Sequence, residues 1–181
     1  MALASDKIML TKNKSAFTLI ELLIVIAIIS IIAAVVFVAL DPLTRFRDSR
    51  DAKRWADVNA ILSAIKIDQV DNGGNYLPAI SNMNPGEVYM IVDGTPANPD
   101  CNQGNAYCDT DVTTETVPGN RCLNLAELVQ QGYLGSVPIS PAGAYKWTTS
   151  LSGYTLERST NGILTVRACE SENTSEIKSA R

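Results

Sequence analysis

Between Phe17 and Leu40 the chain runs 24 residues with a single charge, Glu21. As a helix that run is about 36 Å long at ~1.5 Å per residue, against roughly 30 Å of bilayer hydrocarbon. A carboxylate inside such a segment costs on the order of 3 kcal/mol on insertion scales, so the acid reads as functional. A secretory signal has an apolar stretch of about 7–15 residues closed by a small-residue cleavage site. This run is longer and is followed by Asp41-Pro42. A plain membrane anchor accounts for everything except Glu21 and its neighbours.

Those neighbours read Ala16-Phe17-Thr18-Leu19-Ile20-Glu21, just after Lys14-Ser15. The string resembles the processing site of type IV prepilins and type II secretion pseudopilins. The resemblance implies cleavage after Ala16 by prepilin peptidase on the cytoplasmic face, and N-methylation of the new terminus, Phe17. Alanine stands where that family usually has glycine. The resemblance also implies an assembly role for Glu21, whose carboxylate would pair with the Phe17 amine of a neighbouring subunit. Its expected partners are further copies of itself in a helical homopolymer, an inner-membrane assembly platform and the lipid bilayer.

Charge is unevenly distributed. Residues 41–71 balance six basic against six acidic side chains, whereas residues 72–181 carry six basic and eleven acidic. An acidic carboxy-terminal region argues against general nucleic-acid binding, which depends on neutralising phosphates. Arg45, Arg47, Arg50, Lys53 and Arg54 follow the span and outnumber Lys7, Lys12 and Lys14 before it. That count alone would keep the carboxy-terminal region in the cytoplasm. The cleavage motif, which requires a cytoplasmic leader, and the cysteines together place it outside.

The sequence contains no histidine, which removes the commonest general base, proton shuttle and metal ligand. No catalytic residue, metal site or cofactor is expected. Cys101, Cys108, Cys122 and Cys169 all lie beyond the span and include no Cys-x-x-Cys. An even number in an exported small domain favours two disulfides, with three possible connectivities. The preferred pairing is Cys101–Cys108, closing a short loop, with Cys122–Cys169 tying back a late strand. Free core cysteines are the alternative.

From Phe17 to Asp71 only Pro42 interrupts a helical reading, predicting a kink or loosened turn near 38–42. Ala52, Trp55, Val58, Leu62 and Ile65 recur at helical spacing and predict one buried face, with Arg47 and Asp51 paired on the polar side. Asp71-Asn72-Gly73-Gly74 supplies the stop. Strands are predicted at 87–92, 145–149, 154–158 and 163–169, the last two joined through Asn161-Gly162. Residues 93–122 read as a long stapled loop, 123–131 as a short helix and 170–181 as a frayed polar tail.

Two further stretches carry the resemblance. Asp71-Asn72-Gly73-Gly74-Asn75-Tyr76-Leu77-Pro78 is similar to the segment ending the long helix of major pseudopilins. Leu128-Val129-Gln130-Gln131-Gly132-Tyr133-Leu134, then Pro138-Ile139-Ser140-Pro141, resembles a later stretch of theirs. That family commonly has aspartate where Ser140 stands, and the next loop, Ala142-Gly143-Ala144, offers no carboxylate, so a calcium site is not expected.

The fold class expected is α+β and pilin-like, a long amino-terminal helix packed on a small antiparallel sheet. Residues 1–16 form a cytoplasmic leader, 17–71 the long helix with 17–40 transmembrane, and 72–181 a globular head. Three functions follow: a type IV pilus-like filament subunit, a major pseudopilin of a type II secretion system, or a membrane-anchored exported enzyme. The first two imply a single pass through the cytoplasmic membrane, then a periplasmic or cell-surface filament.

Overall fold

The structure is a computed structural model describing residues 17–94, 101–109 and 121–181. The predicted leader, with Ala16, and residues 95–100 and 110–120 of the predicted loop lie outside the described residues. The chain divides into two compact units, Met1–Pro42 and Leu43–Arg181.

In the first unit α1 spans Leu19–Leu40 and buries none of its residues. It ends at Asp41, whose φ of 36° and ψ of 71° are left-handed. The cause is Pro42, which has no N–H to donate and whose ring drives the preceding residue out of helical geometry. A new helix, α2 (Pro42–Asp71), starts on that proline, at a position whose N–H would lack a helical partner in any case. The long helix expected over 17–71 is therefore broken at Asp41, within the kink predicted near 38–42.

In the second unit α2 stops where the glycines permit. Gly73 and Gly74 take φ of 65° and 92°, and the Gly74 N–H closes on the Gln69 carbonyl at 2.7 Å. Its buried face is rotated from the one predicted. Val58, Leu62 and Ile65 are buried, but Ala52 is exposed and Trp55 is 39% exposed. The stripe is continued toward the helix start by Asp51, Arg54 and Asp57, all buried.

The sheet has five strands in the order β2-β1-β3-β4-β5, formed by β1 (Val88–Val92), β2 (Cys122–Asn124), β3 (Tyr154–Arg158), β4 (Leu164–Ala168) and β5 (Lys178–Ala180). It is antiparallel except at one edge, where β2 runs parallel to β1 with Met90 opposite Cys122. That pairing takes Cys122 out of the predicted loop and residues 123–124 out of the predicted helix, leaving Ala126–Gln130 (α4). A one-turn helix, α3, spans Pro78–Ser81. Residues 145–149 form no strand, only an isolated bridge between Thr148 and Leu151. The tail is not frayed: Lys178–Ala180 pairs with β4, and Ile177 is 1% exposed.

Strand β1 is buried along its whole length because both faces are covered. Tyr89 and Ile91 join the main core with Ile61, Leu62, Ile65 and Leu156. Met90 and Val92 face a second, smaller core of Cys101, Trp147, Leu151 and Cys169. Gly153 has φ of 80°, and a Cβ there would lie 2.6 Å from the Trp147 ring. Only glycine admits both that backbone and that close approach.

Candidate assembly site on the amino-terminal helix

Thr18 and Glu21 open α1 with a reciprocal cap. The Thr18 N–H and hydroxyl both donate to Glu21 Oε2 at 2.9 Å, and the Glu21 N–H donates to Thr18 Oγ1 at 3.3 Å. A threonine followed three residues later by glutamate, just before an apolar run, folds this way because it satisfies two donors that a helix start leaves unpaired. Glu21 also sits in the first turn, where the helix dipole favours an anion. Its carboxylate is thus held by its own chain while still exposed. Phe17 is 87% exposed one residue before the cap.

Beyond the cap, α1 is apolar on every side and exposed along its length. Its one internal hydroxyl, Ser30, donates to the Ile26 carbonyl at 2.7 Å, so the helix presents no unpaired polar group there. Twenty-two residues give about 33 Å at ~1.5 Å per residue, the thickness of bilayer hydrocarbon. A helix with no polar face must find its burial outside its own unit. Length, composition and position near the amino terminus fit membrane anchoring.

The cysteines are brought together in a pairing other than the preferred one. Cys101 bonds Cys122, and Cys108 bonds Cys169, with Cα separations of 5.4 and 4.1 Å. The reason is the 3-10 helix Cys101–Tyr107, which holds Cys101 and Cys108 on a short turn, each facing a different strand end. The first bridge ties this turn to β2, the second to the residue after β4. All four cysteines line the smaller core.

A charged cluster that sequence reasoning missed fixes the tail on α2. Arg54 is fully buried and donates to Asp51 at 2.7 Å, Glu172 at 2.9 Å, Ser140 at 3.2 Å and the Pro141 carbonyl at 3.2 Å. Glu170 lies 3.6 Å away on the same guanidinium and accepts from the Trp147 indole at 2.7 Å. Arg50 grips Glu172 with both Nε, at 2.7 Å, and Nη2. The Arg50 bonds, seconded by Arg54, hold the Glu172 carboxyl down to about 2 against the opposing effect of burial. Asp51 in turn accepts the backbone N–H of Asn173 at 2.8 Å. The predicted Arg47–Asp51 pair is replaced by these contacts. The signal was present, since Asp51, Arg54, Val58, Ile61, Ile65 and Asp68 advance by three and four, but charges in that phase read as solvated.

Two other ionisable groups are shifted by burial. Tyr154 donates to Asp57 at 2.7 Å and is pushed far up, by burial first and then by that carboxylate. Asp68 is fully buried, accepts from Asn72 at 2.8 Å through one oxygen and leaves the other unpartnered. Burial, then the charge of Glu127, raises its carboxyl. Among the described residues no three His, Cys, Asp or Glu side chains are placed to hold a metal ion. Ser140, where a carboxylate was the alternative, is buried against Arg54.

No curated protein and no solved structure matches this chain. Residues 11–37 match the family model of the prokaryotic N-terminal methylation motif, a stretch that takes in the last residues of the predicted leader, the Thr18–Glu21 cap and most of α1. The chain thus carries the signature of the type IV pilin and pseudopilin family, on an α+β fold with an apolar amino-terminal helix and a mostly antiparallel sheet.

Proposed function

We propose that the chain is the structural subunit of a type IV pilus-like filament, with no catalytic role. Prepilin peptidase cuts after Ala16, Phe17 becomes the N-methylated amino terminus, and an inner-membrane assembly platform stacks copies through α1. The observation that carries this reading is Glu21, an acid opening a wholly exposed apolar helix that bears the methylation motif. Cutting creates a cationic amine four residues before that acid. Methylation leaves the charge in place. In a polymer of α1 helices each amine would sit in apolar surroundings, where an unpaired charge is costly and a carboxylate of the next copy compensates it.

The Thr18 cap supports a two-stage role for Glu21. In the single subunit, Thr18 satisfies the carboxylate. In the filament, the neighbour's amine is the stronger, charge-assisted partner. The second unit lies outside the cytoplasm, where two disulfides persist. A major pseudopilin of a type II secretion system is the second reading, supported by the Asp71-Asn72-Gly73-Gly74 helix stop.

The test is amino-terminal mass spectrometry of filaments sheared from cells that express prepilin peptidase. The expected chain begins at Phe17 and carries one extra methyl. A chain retaining Met1, or one cut near Leu40, overturns the assignment. Expression beside a secretin-type secretion system or a pilus motor then separates the two filament types by which machinery exports the subunit.

A further inference from the structure

The five basic residues after the span are not equivalent in the folded chain. Arg50 and Arg54 are committed to Glu172 and Asp51, and Lys53 to Asp57 at 2.8 Å. Arg45 and Arg47 are exposed and form no ion pair among the described residues. The same turns of α2 expose Leu43 at 69% and Phe46 at 64%, and the first turn contains no acidic residue. Two free cations and two bare apolar side chains therefore share five consecutive residues.

The chain itself fixes where these residues stand. Leu43 is three residues beyond Leu40, so it lies no more than about 11 Å from the end of the apolar run at ~3.6 Å per residue. Half a bilayer's polar zone is of that order, given a total of roughly 40–45 Å around ~30 Å of hydrocarbon. Side chains with apolar stems and cationic ends settle there, stem toward hydrocarbon and head toward phosphate. At 3.6 residues per turn Arg45 and Arg47 are about 160° apart around the helix. A partner docking on one side would meet one of them, whereas a surface surrounding the helix meets both.

We infer that residues 43–47 form a lipid-headgroup collar, in which Arg45 and Arg47 bind the phosphates of anionic phospholipids while Leu43 and Phe46 enter the interface. The inference rests on the membrane-spanning role of α1 and extends it by naming the lipid class that the subunit holds before assembly. It also gives the free basic residues a use independent of chain orientation, since anionic headgroups attract them on whichever face they emerge.

The full chain would be reconstituted into vesicles of equal phosphatidylglycerol and phosphatidylcholine and re-extracted in nonionic detergent. The phospholipid retained per chain would then be counted by mass spectrometry. Wild type should retain phosphatidylglycerol over phosphatidylcholine by on the order of tenfold, from two cations near an anionic surface. High salt during extraction should erode that preference. The double variant R45Q/R47Q keeps the helix and the buried ion pairs, so its thermal melt should be unchanged while the ratio falls toward one. An equal ratio in wild type, or an unchanged preference in R45Q/R47Q, overturns the collar. Loss of self-association in R45Q/R47Q with lipid preference intact overturns it in favour of a second copy as the partner. Failure of the wild type to enter either lipid removes the spanning role and the collar together, which distinguishes the two.

Discussion

Arg54 is fully buried, so its single positive charge is balanced by groups of the protein or not at all. Replacing it with methionine would leave Asp51, Glu170 and Glu172 facing one another with only Arg50 to compensate. A loss of about 3–5 kcal/mol is expected in a urea melt of the oxidised protein. Acid should act through Glu172, whose carboxyl falls from its ordinary 4.5 to about 2 on folding. A depressed carboxyl stabilises fully above its unfolded value, and that contribution is lost as pH drops from 4.5 toward 2. Glu172→Gln should therefore be less stable than wild type at pH 7, with the gap closing as pH falls through this window. Asp68 works in the opposite sense. Its raised carboxyl favours folding below its unfolded value of 3.8 and costs stability as pH rises above it. Asp68→Asn should raise the melting temperature at pH 7 and leave it nearly unchanged at pH 3. Glu21 carries the functional counterpart. On the proposed filament role, Glu21→Leu removes the acid that compensates the Phe17 amine of a neighbouring copy, so insertion and processing should be normal while filaments disappear from sheared fractions. Undiminished filaments from Glu21→Leu alone would remove the pairing mechanism.

At the level of elements, the two disulfides divide the second unit by loop length. Cys108–Cys169 spans 61 residues and Cys101–Cys122 spans 21. Chain-entropy closure gives about 4 and about 3 kcal/mol respectively, so the Cys108→Ser/Cys169→Ser double variant should melt earlier than Cys101→Ser/Cys122→Ser. A non-reducing peptide map showing a Cys101–Cys108 link would contradict the observed pairing. This pairing was not legible in the sequence, because it depends on residues 122–124 joining β1 as a parallel strand, a contact no local pattern encodes. The strands at 154–158 and near 163–169 were legible, since Asn161-Gly162 forces the hairpin and residues 164, 166 and 168 alternate inward. The break near Pro42 and the glycine stop at Gly73-Gly74 were legible for the same reason: backbone chemistry decides them locally. The tail was not. Its polar composition reads as solvated, yet Glu170 and Glu172 are polar because they answer Arg54, and Ile177 alone betrays burial. At the candidate assembly site Thr18 and Glu21 stand three residues apart, the spacing a reciprocal cap needs, whereas the filament contacts proposed for Glu21 involve other copies and leave no trace within one chain.

Across the whole molecule the two units solve opposite problems of burial. Every residue of α1 is exposed, so that helix gains nothing from water exclusion within its own unit. The main core of the second unit begins at Val58 and the smaller core at Met90, and neither includes a residue of α1. The ion-paired tail anchors reach further back, to Asp51 and Arg50, and Asn173 reaches the Thr44 carbonyl at 3.3 Å and Asp48 at 2.7 Å. A fragment of residues 43–181 thus contains all of its own core and all of its tail anchors, and is of ordinary domain size. Exported so that its disulfides form, it should be water-soluble and show one cooperative transition, within a few degrees of the full chain in detergent. A fragment of residues 56–181 retains the same apolar core but lacks Arg50, Asp51 and Arg54, leaving Glu170 and Glu172 without their cations. It should lose several kcal/mol relative to the longer fragment, by the cost of stripping partners from buried charges. Comparing the two by urea melts separates the roles of helix and core. Equal stability would mean the ionic tail anchor contributes nothing. Aggregation of the 43–181 fragment would mean that the second unit needs α1 to fold, and that the exposed helix serves the fold as well as assembly.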